Sequence, residues 1–408
     1  MRARTAQIGA VTVAGLMCLA GCETPLATAI SEYAQQAAPT VTPAATDRES
    51  DTPGPSKFSF LHQPGSGRRS PTPAATQAPV APPAPVPTST LSLWGDLPAG
   101  GEGEADGADN LRQVTFTREG RDFDPDIHPQ GKLLVFASTQ HRATSDLYVK
   151  DVRGQTITQF TSDPGNDLMP AFSRDGKSVA FASDRTGNLD IFIRPLSGGP
   201  PVQVSSDPAH EVHPSWSPDG QQLVFSLRST KSGQWEMVLV DVANPANRRF
   251  IGFGLFPKFS PDGRKIVFQR PRYRGGRTFS IWTVDLVAGE GRNPTEIAAA
   301  ANAAVINPTW APDGRRLAFA TVIAPPADPN QAPGRADLWT INVNGTNRVK
   351  LTTDQHANLQ PAWSVDGTIY FMSNRSGHDN VWALPVGRAP AVVAEPAAPT
   401  PQAAVPTP

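Results

Sequence analysis

Residues 214–226 read Pro214-Ser215-Trp216-Ser217-Pro218-Asp219-Gly220-Gln221-Gln222-Leu223-Val224-Phe225-Ser226, and this stretch decides the fold. Ser-Pro-Asp-Gly is a tight turn: proline presets φ at one central position, and glycine takes the positive φ that side chains resist. The apolar run behind it has the pattern of a strand buried on both faces. The same pattern recurs along the chain. A proline stands six residues before a glycine at Pro125/Gly131, Pro170/Gly176, Pro214/Gly220, Pro257/Gly263, Pro308/Gly314 and Pro361/Gly367. Successive glycines lie 45, 44, 43, 51 and 53 residues apart. Two residues after each proline sits an apolar side chain: Ile127, Phe172, Trp216, Phe259, Trp310 or Trp363.

Each unit continues in the same way. The second-strand runs include Leu133-Leu134-Val135-Phe136, Ile266-Val267-Phe268 and Leu317-Ala318-Phe319. Third strands open at Asp146-Leu147-Tyr148, Asp190-Ile191-Phe192, Asp337-Leu338-Trp339 and Asn380-Val381-Trp382, and weaker fourth strands follow, as at Thr158-Gln159-Phe160. Four short antiparallel strands every 43 to 53 residues form the signature of a propeller blade. One such sheet has two apolar faces and is not stable alone, so the blades must stack and the array must close. The expected fold is all-β: a six-bladed β-propeller of four-stranded antiparallel blades over residues 111–387. Leu111–Thr117, ahead of the first repeat, has the pattern of a fourth strand. It is expected to complete the last blade and bury the edges that otherwise invite aggregation.

The chain's 408 residues carry 36 basic and 37 acidic side chains. That balance lacks the positive excess on which nucleic-acid binding rests, so no nucleic-acid partner is expected. Of 43 prolines, 14 fall in residues 1–98 and 6 in the last 21. Residues 22–110 therefore read as a disordered Pro/Ala/Thr-rich tether, and 388–408 as a disordered Pro/Ala-rich tail. A flexible chain of the tether's length has a root-mean-square span of roughly 50 Å. Residues 1–21 read as an export signal: Arg2 and Arg4 precede an apolar stretch, Ile8 to Leu19, too short to span a bilayer comfortably. Cys18 lies inside that signal, so Cys22 would be the only cysteine of the mature chain and no disulfide can form.

Leu19-Ala20-Gly21-Cys22 resembles the lipobox of bacterial lipoproteins. The resemblance implies cleavage before Cys22, lipidation of that residue and a membrane anchor. The motif Pro-x-(Trp/Phe)-Ser-Pro-Asp-Gly with a downstream Asp-(Ile/Leu)-(Tyr/Trp) resembles the WD40-like, PD40-type repeats of TolB-like propellers, over residues 111–387. The hairpins Ser183-Asp184-Arg185-Thr186-Gly187 and Ser373-Asn374-Arg375-Ser376-Gly377 are similar to theirs as well. This resemblance implies an envelope protein, periplasmic or surface-exposed, whose propeller binds a protein or peptide partner without catalysis. TolB carries an α/β domain ahead of its propeller where this chain has the expected tether. Functions of that domain, including engagement of the TolA transducer, are not carried over.

Asp175, Asp219, Asp262, Asp313 and Asp366 look like a ring of carboxylates, but each belongs to a turn in which Asp bonds its own backbone. No G-x-S-x-G nucleophile elbow occurs, so no catalytic residue is assigned. His210-x-x-His213, even with His356, lacks a third ligand at fixed spacing, and neither metal nor cofactor is assigned. The alternative is a carbohydrate-binding or polysaccharide-lyase-type propeller, which would need a metal or a sugar-stacking cluster in its channel. The best candidate binding surface is a polar rim where the chain enters the innermost strands: Asp122, Asp124, Asn166, Asp167, His210, Glu211, His213, Asn307, His356, Asn358 and Gln360. A second surface is the basic hairpin holding Arg270, Arg272, Arg274 and Arg277. It would meet anionic lipid or peptidoglycan, gaining about 1 kcal/mol per charge near a membrane.

Overall fold

A computed structural model of the chain describes residues 103–104, 110–272, 278–323, 325, 333–353 and 355–387. The export signal, Cys22, the tether up to residue 102, Arg274, Arg277 and the C-terminal tail lie outside the described residues.

The six expected blades form. Their innermost strands are Asp122–Ile127, Asp167–Phe172, Glu211–Trp216, Leu255–Phe259, Ala303–Trp310 and Asn358–Trp363, and each sheet runs outward from them in chain order through antiparallel neighbours. The last blade departs from chain order as expected. Its outermost strand is Arg112–Gln113, with Arg112 opposite Ala383 and Gln113 opposite Trp382. The Val114 amide then donates to the Val381 carbonyl at 2.8 Å, and the Val381 amide donates to Thr115 Oγ1 at 2.9 Å. One strand was not expected: Gly103–Glu104, inside the stretch read as tether, pairs in parallel with Val349–Lys350 and gives blade 5 a fifth strand.

The motif proline explains the shape of every innermost strand. Proline has no N–H to give to a ladder, so it is tolerated on an edge strand or at a bulge. Here it occupies both. All six innermost strands break register around the proline, between Phe123/Asp126, Leu168/Ala171, Val212/Ser215, Leu255/Lys258, Ile306/Thr309 and Leu359/Ala362. In blade 3, Val212 faces Ser226 and Ser215 faces Val224, so three steps on one strand match two on its neighbour. That is a β-bulge of one extra residue. The residue before each proline takes a left-handed conformation: Asp124, Met169, His213, Phe256, Asn307 and Gln360 have φ between 49° and 56°.

The turns behave as their sequence requires. The Gly220 amide donates to the Ser217 carbonyl at 3.0 Å, and Asp219 Oδ1 accepts from Ser217 Oγ at 2.5 Å and from the Gln221 amide at 3.0 Å. Asp175 and Asp262 repeat the arrangement, and the hydroxyl of Ser173 or Ser217 holds the Asp175 or Asp219 carboxyl below its usual range. The aspartate ring is therefore structural. Between blades, the second strands each contribute one phenylalanine at an equivalent place: Phe136, Phe181, Phe225, Phe268, Phe319 and Phe371, none more than 2% exposed. Burying each stabilises the ring by about 2–3 kcal/mol relative to leaving it in water.

Candidate functional site in the central channel

Strand direction fixes two faces. Each innermost strand starts on one face and ends at a Ser-Pro-Asp-Gly-type turn on the other, called the turn face below. Along the axis three layers of side chains follow from the motif proline.

The residues before the prolines form the first layer. Asp124, Met169, His213, Phe256, Asn307 and Gln360 converge with five of the six motif prolines around a cavity of about 50 Å³. Gln360 Nε2 donates to Asp124 Oδ1, the Asp124 amide donates to Gln360 Oε1 at 3.0 Å, and the Met169 amide donates to Asp124 Oδ2 at 3.2 Å. The rings of His213 and Phe256 lie in contact, tilted by 33° with centroids 3.5 Å apart. The Asn307 amide donates to Gln269 Oε1 at 2.8 Å. Burial pushes the Asp124 carboxyl up to about 7, so it is shared between its two forms at neutral pH, and holds the His213 imidazole well below its usual value, in its neutral form.

The next two layers open toward the turn face as a funnel of about 170 Å³ drawing on all six blades. Its walls are the residues one and two places after each proline, among them Asp126, Ser215, Lys258, Phe172, Trp216, Phe259, Trp310 and Trp363. These residues also join the blades. Asp126 Oδ2 accepts from the Phe172 amide at 2.8 Å and Ser215 Oγ from the Phe259 amide at 3.1 Å. Trp216 Nε1 donates to the Ala171 carbonyl at 3.1 Å, and Trp310 Nε1 to the Lys258 carbonyl at 2.9 Å. Arg174 and Val365 stand exposed at the funnel's border.

The expected rim divides. Asp124, His213, Asn307 and Gln360 line the channel. Asp122, Asp167, Glu211 and Asn358, three residues before their prolines, are buried within the blades and are no solvated rim. Ser138 Oγ donates to Asp122 at 2.6 Å, Arg185 to Asp167 at 2.9 Å, Arg248 to Glu211 at 3.0 Å, and Arg375 to Asn358 at 2.8 Å. Asn166 is buried too: its amide and Nδ2 donate to Asp184 at 2.6 and 2.8 Å, and it accepts from the Ser145 amide at 3.2 Å. His210 and His356 sit half-buried in the links between blades, His210 Nδ1 accepting from the Leu189 amide at 3.2 Å. Alternation explains the division, because successive strand side chains point to opposite sides and only the bulge re-aims one toward the axis. The funnel residues, one and two places after the prolines, lay outside the expected rim. In the basic hairpin, Arg270 lies over the Trp282 ring at 5.2 Å and Arg272 donates to the Ala300 carbonyl at 3.0 Å. Among the described residues no group of three or more His, Cys, Asp or Glu could hold a metal ion.

Residues 253–393 match the TolB β-propeller domain, and residues 123–322 match the N-terminal β-propeller domain of tricorn protease. The propeller is TolB-like. A structure assigned as TolB from Agrobacterium tumefaciens resembles it at TM-score 0.52 and 20% identity, over 67% of this chain and 92% of that one. TolB from Acinetobacter baumannii gives TM-score 0.47 and 17% identity, over 64% of this chain and 65% of that one. Oligogalacturonate lyase from Vibrio parahaemolyticus gives 0.46 and 16%, over 69% and 95%. What the Agrobacterium structure shares with this propeller is the fold.

Proposed function

We propose that this chain is a bacterial envelope lipoprotein, anchored through Cys22, whose TolB-like propeller binds a protein or peptide partner without catalysis. The partner engages the turn face. One observation carries this reading: a funnel lined from all six blades leads to a ring where buried His213 and Asn307 have unmade hydrogen bonds. A rigid concave site with apolar walls and a few convergent polar groups is the ordinary form of a binding site. The tether would keep the domain near the membrane while letting it search, raising its effective concentration toward envelope partners.

Affinity capture from envelope extracts tests the face. The double variant Arg174→Glu/Val365→Glu changes two exposed border residues and should lose the partners that the wild-type domain retains. An unchanged partner set would remove the turn face from consideration. The anchor has its own test: Cys22→Ser should shift the protein from the membrane to the soluble fraction, and retention in the membrane would refute it.

A further inference from the structure

The hydrogen bonds of the channel ring are made on one side and unmade on the other. On the side of blades 1 and 6, Gln360 and the Met169 amide engage both Asp124 oxygens, and Asp126 accepts from the Phe172 amide. On the side of blades 3 to 5 the groups are idle. Both ring nitrogens of His213 and both side-chain amide atoms of Asn307 lack partners, although the residues are only 5% and 4% exposed. Between these blades stands Lys258, which borders both the cavity and the funnel. Among the described residues its ammonium makes no hydrogen bond and no close ion pair, although its charge acts on the nearby Asp124 and Asp126 carboxyls. A buried polar group left unpaired is destabilising, and a ligand accepting from the idle donors would recover part of that cost.

We propose that this half of the channel is a subsite for a carboxylate, bound by the Lys258 ammonium and the Asn307 amide with His213 offering a ring N–H. An anion fits better than a cation because the Lys258 ammonium, Asn307 Nδ2 and one His213 ring N–H are donors, against two idle acceptors, Asn307 Oδ1 and the other His213 nitrogen. Trp216, Phe259 and Trp310 in the funnel would cover the stem that carries the carboxylate. The inference deepens the partner-binding reading and rests on it for the body of the ligand, but not for the head group. The carboxylate belongs either to an acidic residue of a peptide or to a small free acid.

The charged and titratable groups around the subsite are Lys258, Asp124, Asp126 and His213, with Arg121 and His128 farther out. A bound carboxylate disfavours the ionised form of Asp124, whose carboxyl is already raised to about 7. Binding at neutral pH should therefore take up a proton and tighten as the pH falls from 8 to 6.

Calorimetric titration of the purified full-length protein at pH 6.5 decides the matter, using capped peptides GGEGG and GGQGG and sodium propionate. The charge-assisted contacts predict that GGEGG binds at least about tenfold tighter than GGQGG, the equivalent of 1.4 kcal/mol. Lys258→Met should bring the two peptides within about twofold. Asn307→Asp, which keeps the size and reverses the polarity, should weaken GGEGG as well and serves if Lys258→Met does not fold. Competition by propionate assigns the site to free acids, and its absence with tight GGEGG binding assigns it to peptides. Equal affinity for GGEGG and GGQGG, selectivity that survives Lys258→Met, or no binding of any probe at millimolar concentration would overturn the proposal. The capture experiment on Arg174 and Val365 does not depend on Lys258. Loss of partners there, with no preference for GGEGG, would remove the carboxylate and leave the binding face standing.

Discussion

Glu211 shows what burial does to a single residue of this fold. Its side chain is fully buried, one oxygen accepts from Arg248 at 3.0 Å, and the other has no partner. Desolvation outweighs the arginine, and the nearby Asp190 and Asp207 act in the same direction, so the carboxyl is pushed up to about 8. The folded protein holds a proton on Glu211 that the unfolded chain releases above about 4.5. The stability this contributes is present below that pH and is lost as the pH rises toward 8. Asp122, raised to about 6, and Asp124 act with the same sign, so the informative quantity is a difference. Glu211→Gln should flatten the fall of the melting temperature between pH 5 and pH 8 relative to the wild type. Parallel curves would show that Glu211 does not hold the proton. The identity of such a residue was legible in the sequence but its surroundings were not. A polar residue before a motif proline reads equally as rim or as core until the bulge fixes which way it points.

Elements were legible in proportion to their periodicity. The innermost, second and third strands carry apolar runs bounded by turn residues, and these residues announced them. The outermost strands did not. Asn244–Phe253 in blade 3 and Glu290–Ala298 in blade 4 are the longest of these, yet they contain Asn, Arg and Pro and lack clean alternation. Pro245 and Pro294 fit there because an edge strand has N–H groups that need no partner. The closing strand was legible because it precedes the first repeat with the pattern of a blade's last strand. Its strength comes from one residue outside it. Asn380 is fully buried; its Oδ1 accepts from the Thr117 amide at 2.7 Å and from Thr115 Oγ1 at 3.2 Å, and its Nδ2 donates to Ser376 Oγ at 3.0 Å. Asn380→Ala leaves a buried donor unpaired and should cost about 1–3 kcal/mol in urea unfolding. A change well below that range would mean the closure does not depend on this clasp.

For the whole molecule, six sheets that cannot stand alone bury their faces in apolar clusters against one another, and the ring is sealed between its two chain ends by Arg112–Gln113 and the strand Asn380–Pro385. That architecture was readable from the spacing of six Pro/Gly pairs, because a blade is a local unit repeated. The channel was not, since it exists only where six strands converge, and no single repeat contains it. The functional claim belongs to this scale: the turn face, around the funnel, is where a partner sits. Site-specific photo-crosslinking in living cells measures it most directly, with the reactive group placed at position 174 or 365 on the funnel border, or at position 202 or 250 on the exposed outer strands. The account predicts adducts to the same partner from positions 174 and 365 and none from 202 and 250. Adducts from the outer strands alone would contradict it.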